Sequence, residues 1–329
     1  EEVNMKNYTI LAPFDKYYNG VADFKIQLLP SAGDSDPNVV TRAKSGNLDY
    51  GYTKMVADVQ ALEGTPGITV TPIDVRYTRL FYLNKFDKKD GSPAPLADVR
   101  VRQALRYAID METICETLFQ GSAVPANALA PDANLKGGDL NDYNYNPEKA
   151  KELLAEANWD PNTVIKAVYY YTDQATVDLM TAVQAYLADV GIKMEFELVE
   201  GDLATILWTA PADQTNGPRA VDWDICYAAN AALSLHEYYD RYRTGSPTNS
   251  HTPEDAELNR LIDATNASAD VNAQNEAFKE LIKYENENLF TMALYYQPIF
   301  LITSDKIGDI QKGTPQFCIN WGIQNWNVQ

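Results

Sequence analysis

The chain has 329 residues, with 27 Lys+Arg against 46 Asp+Glu for a net charge of −19, and it is 45% apolar and 22% charged. That length allows about two domains, each with its own core, and the apolar content excludes wholesale disorder. The negative balance argues against nucleic acid, whose binding rests on Lys and Arg neutralising phosphates, and against docking on an anionic bilayer.

In chain order, elements of both periods alternate. Ala22–Leu29 reads as a strand through Phe24, Ile26 and Leu28. Asp36-Pro37 opens a helix that Gly46 closes, and a short helix follows near Met55–Leu62. Ile68–Thr71 and Arg79–Leu83 read as strands, and Asp87–Pro95 as a charged loop. Long helices are predicted over Asp98–Asp110, Asn146–Asn158 and Asp173–Val190 from their apolar stripes, with Gly191 leading into a strand at Ile192–Leu198. Further helices are predicted over Asp255–Ala267 and Ala273–Leu289, and β character returns at Met292–Thr303. The alternation is that of an α/β protein.

No apolar run reaches the length of a membrane span, and EEVNMKNYTI at the N-terminus does not read as a signal peptide. Cys115, Cys226 and Cys318 are too few and scattered for a disulfide framework or a cysteine zinc site. The two histidines, His236 and His251, sit in no metal-ligating spacing, and no GxSxG elbow, GxGxxG or GxxxxGK[ST] loop occurs. No metal and no cofactor is therefore expected. Asp222 and Asp224 flank Trp223. On a strand they would share a face, as a glycosidase-like carboxylate pair or simply as an acidic strand entry. Three tyrosine clusters, Tyr169–Tyr171, Tyr238/Tyr239/Tyr242 and Tyr295-Tyr296, stand near predicted strand ends. Such residues line clefts, with an apolar ring and a polar tip, or pack in a core.

Pro95–Asp110, PLADVRVRQALRYAID, resembles the D-x-R-V-R-Q-A-L-x-Y-A-I-D helix of the family 5 extracellular solute-binding proteins, the peptide- and nickel-type receptors of ABC importers. Tyr145–Trp159, YNPEKAKELLAEANW, is similar to that family's Y-D-P-E-K-A-K-x-L-L-A-E-A-G-W, with Gly121–Ala126 between them like its G-x-A-x-P-A. Weaker similarities run along the chain at Tyr17–Gly20, Ala43–Asp49, Phe81–Asn84 and Leu294–Tyr296.

The resemblance implies a two-lobed α/β fold of the periplasmic binding protein class II type, closing about a hinge on a ligand. Residues 1–83 and 294–329 would be the remainder of lobe I, and 84–293 lobe II. It implies that lobe I is incomplete, a long N-terminal portion preceding the turn at Tyr17. It also implies a non-enzymatic receptor for an oligopeptide or similar small polar solute, working as a monomer with ABC permease subunits. The location would be extracytoplasmic, with any lipid anchor in the missing portion. Ligand-binding residues would be Tyr171, Thr172, Asp173, Tyr227, Ala228, Asn230 and Leu233. In peptide-binding relatives an aspartate in the loop after the matching strand holds the ligand's amino group. Here that position is Leu233, so Glu237 or Asp240 substitutes, or the ligand is not a free-amine peptide. A saccharide hydrolase and a peptide-sensing receptor without transport are the alternatives.

Overall fold

The computed structural model describes residues 2–4, 7–29, 36–73, 78–130, 135–137, 139–230, 236–308 and 322–329. Its elements run β1 Glu2–Asn4, β2 Tyr8–Leu11, β3 Ile26–Leu28, α1 Val39–Lys44, β4 Tyr50–Thr53, α2 Val56–Leu62, β5 Ile68–Ile73 and β6 Thr78–Leu83. There follow α3 Val99–Ala108, α4 Met111–Thr117, β7 Val124–Pro125, α5 Pro147–Glu156, β8 Val164–Tyr169, α6 Gln174–Asp189, β9 Lys193–Leu198 and α7 Leu203–Trp208. The chain ends with β10 Ile225–Asn230, α8 Ala256–Ala264, α9 Val271–Asn288, β11 Thr291–Tyr296, β12 Ile299–Ser304, β13 Ile307–Gly308 and β14 Asn327–Val328.

The chain divides into two compact units, Glu1–Val75 with Pro298–Gln329, and Arg76–Gln297. The smaller unit holds the sheets β1-β2-β3, β4-β12-β5 and β13-β14. Its small core is Val39, Ala43, Leu62 and Ile302. The boundaries differ from 83/84 and 293/294 because β6 and β11 are interior strands of the larger unit's sheet, hydrogen-bonded on both sides.

That sheet is mixed, in the order β7-β11-β6-β10-β8-β9. β6 runs antiparallel to β10 and β11, while β10-β8 and β8-β9 are parallel. Side chains alternate across a strand, so a sheet covered on both faces sends neighbours into different cores. Phe81 and Leu83 of β6 join the cluster built with α3, α5 and α6, whereas Leu80 and Tyr82 join the one built with α7, α8 and α9. Ile225 and Tyr227 of β10 go with the first, Cys226 and Ala228 with the second. Hence these strands read as continuous apolar runs, and the unit is a helix–sheet–helix sandwich.

The predicted helices form where the caps dictate. The carboxylates of Asp98 and Asp173 and the amide oxygen of Asn146 accept the first-turn N–H groups of Arg100, Thr176 and Lys149. Ala22–Leu29 shortens to β3, and α4 and α7, too short to show a full apolar period, are elements that periodicity did not predict.

Polar groups buried in the larger unit tie its layers together. The Arg102 guanidinium donates to the carbonyls of Leu96, Ala97, Asn288 and Leu289, joining α3 to the end of α9. Arg219 donates to Asp224 Oδ1 at 2.6 Å, with side chains 4% and 1% exposed. Asp224 Oδ2 also accepts the Lys166 backbone N–H at 2.9 Å, joining the start of β10 to β8.

His251 is fully buried against Tyr82, Trp223 and Tyr242, and neither ring nitrogen has a hydrogen-bond partner among the described residues. Burial, with Lys85 and Arg241 nearby, pulls its pKa well below the ordinary value. Its neutral form therefore supports stability above pH about 6.5, and that support is lost as pH falls. We expect His251→Phe to flatten the acid side of the stability profile. At neutral pH, loss of two unpaired polar atoms is expected to offset most of the cost of the larger ring, each term being about 1–3 kcal/mol. Chemical denaturation across the acid range checks this; an unchanged acid slope would contradict it.

Candidate ligand-binding site

The parallel pairing of β8 with β10 matches Ala167 with Ile225 and Val168 with Cys226, so the carboxyl ends of both strands emerge side by side. Past the end of β8, Tyr171 Oη accepts the N–H of Ala229, near the end of β10, at 3.1 Å. Antiparallel β6 brings its beginning to the same end, pairing Arg79 with Ala229 and Thr78 with Asn230. β11 brings Tyr295 opposite Arg79 through a bulge after Ala293.

Tyr171, Thr172 and Asp173 thus share one end of the sheet with Tyr227, Ala228 and Asn230. Thr172 is exposed, Tyr171, Asp173 and Asn230 are half-buried, and Tyr227 and Ala228 are buried. Tyr227 and Ala228 face opposite cores, so Ala228 presents backbone rather than side chain at this end. Asp173 caps α6, accepting Thr176 N–H at 2.9 Å and Thr176 Oγ1–H at 3.0 Å. Asn230 Nδ2 donates to the Tyr238 carbonyl at 3.1 Å. Leu233 lies in 231–235, outside the described residues.

An aromatic and cationic cluster floors this end. The Arg79 guanidinium lies 4.5 Å from the Tyr171 ring centroid, the Tyr170 and Tyr171 rings are 4.4 Å apart, and Tyr171 meets Tyr227 edge-on at 5.7 Å. The Tyr227 and Tyr295 hydroxyls share a hydrogen bond of 2.6 Å. Burial raises both phenols, with Arg79 opposing it, so at neutral pH they are uncharged. Sequence periodicity passed over Arg79. The signal was a charged residue inside the otherwise apolar run Thr78–Leu83.

Other sequence expectations fall elsewhere. Tyr238, Tyr239 and Tyr242 are core residues, each at most 2% exposed, because the turns carrying them fold onto α8 and α9. Asp222 and Asp224 precede β10 rather than sharing a strand face. Asp222 is exposed and bridged to Lys166, whereas Asp224 is buried against Arg219. Asp224, held by Arg219 and the Lys166 N–H inside the fold, is already engaged and is not available as half of an acid–nucleophile pair. Asp240 pairs with His236 Nε2 at 3.2 Å. Cys318 lies outside the described residues, and Cys115 and Cys226 are buried free thiols. Among the described residues no three His, Cys, Asp or Glu side chains gather as a metal site, and no helix is long and apolar enough to cross a membrane.

Residues 1–252 match the family described as bacterial extracellular solute-binding proteins, family 5 Middle. The chain belongs to this family. Heme-binding protein A of Haemophilus influenzae is 35% identical over 130 residues, covering 38% of this chain and 22% of the relative. The dipeptide-binding protein of Escherichia coli is 48% identical over 64 residues, covering 19% of this chain and 12% of the relative. The matched stretches thus cover no more than 22% of these relatives' length. The periplasmic binding protein DppA of Helicobacter pylori, solved with the peptide STSA, superposes with a TM-score of 0.81 at 16% identity, over 100% of this chain and 62% of that one. The family 5 chain therefore has the α/β fold of the two-lobed periplasmic binding proteins, and its relatives are substrate-binding proteins, not enzymes.

Proposed function

We propose that this family 5 protein is the extracytoplasmic receptor of an ABC importer, binding a short peptide or similar polar solute without chemistry. The observation that carries the reading is the shared end of β8 and β10, where Tyr171 is locked to Ala229 and Asn230 and Thr172 flank them. Open α/β sheets bind ligands outside the carboxyl ends of their strands. An extended peptide needs backbone donors and acceptors flanked by apolar rings, and this end offers tyrosines, an amide and strand backbone. Delivery to permease subunits, attachment through a lipid anchor and action as a monomer complete the proposal.

Exposing the full-length protein to an equimolar pool of short peptides, with binding followed by native mass spectrometry, tests it. Asn230→Ala is expected to weaken the retained peptide at least about tenfold, roughly 1.4 kcal/mol, with the melting temperature within a few degrees of wild type. Tyr171→Phe, which removes the hydroxyl but keeps the ring, should weaken it less. Unchanged affinity in both variants would place the ligand elsewhere.

A further inference from the structure

We propose that the larger unit holds one internal water molecule, in a small cavity between the last turns of α9 and the strand β11. The cavity, about 10 Å³ of room for a water-sized sphere, is lined by Arg106, Asn127, Tyr143, Glu285 and Thr291 among others. That is about the space one water needs, and such a water needs 2–4 polar partners.

Those partners are at hand. Glu285 is 2% exposed, and its carboxyl takes a backbone hydrogen bond from Thr291. A carboxyl group has room for more than one such bond. Arg106 is 4% exposed and donates to the carbonyls of Tyr143 and Ala126 at 3.3 and 3.2 Å, long bonds that engage two of its N–H groups. The surrounding wall is fixed: Asn286 Nδ2 donates to the carbonyls of Asn127 and Asn141, each at 2.9 Å, and Tyr143 Oη–H donates to the Asn286 carbonyl at 2.8 Å.

The occupant's class follows from the two charged-type side chains. A cation would meet the Arg106 guanidinium, room for one water-sized sphere is too little for a carboxylate or phosphate anion, and an apolar guest would leave the remaining donor and acceptor positions of both side chains unmet. Water, donor and acceptor at once, satisfies both. Burial raises the Glu285 pKa to about 8 against the opposing Lys85 charge, so the group serves as an O–H donor as well as an acceptor at neutral pH. Lys85, Arg106, Tyr143, Tyr239, Tyr242 and Tyr296 are the titratable groups that face it or feel its charge.

High-resolution crystallography of the full-length protein at a pH below that of Glu285 titration decides the matter. We expect a single solvent peak within hydrogen-bond distance of a Glu285 carboxyl oxygen and of a second polar atom of the lining, retained in Glu285→Gln. Magnetic relaxation dispersion of water should register a long-lived internal molecule in both proteins, without relying on any variant that empties the site. An empty cavity in wild type, or a peak with the short contacts of a metal ion, would overturn the proposal.

Discussion

Arg219→Leu is expected to destabilise the larger unit by about 3–5 kcal/mol, the cost of leaving a buried charge without its partner. Asp224 is 1% exposed and Arg219 5%, and their 2.6 Å contact is screened by little solvent. The remaining bond to Asp224, from the Lys166 N–H, cannot replace a guanidinium. Because that carboxylate also fixes where β10 meets β8, loss should be felt as earlier unfolding of the whole six-stranded sheet. Arg219→Leu with Asp224→Leu removes both charges, and should recover a large part of the loss. Denaturant unfolding of the singles and the double checks this. A single variant within about 1 kcal/mol of wild type would mean that the pair contributes no more than an exposed one.

Glu285→Gln is expected to change how stability depends on pH. The folded-state value of about 8 lies above the ordinary 4.5. The folded protein thus holds a proton that the unfolded chain releases. The stabilisation this gives is complete below pH about 4.5 and is lost as pH rises towards about 8, a change on the order of 5 kcal/mol at 1.36 kcal/mol per unit. Glutamine has the shape of the neutral acid and no proton to lose. Wild type should therefore melt progressively lower than Glu285→Gln as pH rises through this window, by on the order of 10 °C at its upper end. Parallel profiles for the two proteins would show that Glu285 is ionised in the fold.

Much of the fold was legible because its signals are local. Asp98, Asn146 and Asp173 announce helix starts, and their stripes fix which faces are buried. The apolar run Thr78–Leu83 is equally plain, yet no local rule says that its neighbours are β10 and β11, more than a hundred residues away. The same holds for the site. Tyr171 and Tyr227 could be placed at strand ends from sequence, and strand pairing then brings Arg79 and Tyr295 beside them. Tyr238, Tyr239 and Tyr242 misled because a tyrosine's polar tip reads alike in a cleft and in a core. Only the packing of α8 and α9 separates the two. Asp222 and Asp224 misled for a related reason, since Asp222 meets the distant Lys166 side chain at the surface whereas Asp224 is buried against Arg219 and the Lys166 N–H.

The most direct measurement is native mass spectrometry of the full-length protein isolated from its own cells, followed by denaturation and sequencing of whatever is released. We expect a short peptide or similar polar solute, bound one per chain, released intact and lost on gentle washing of Asn230→Ala. Release of a cleaved product, or a ligand retained equally by wild type and Asn230→Ala, would contradict it.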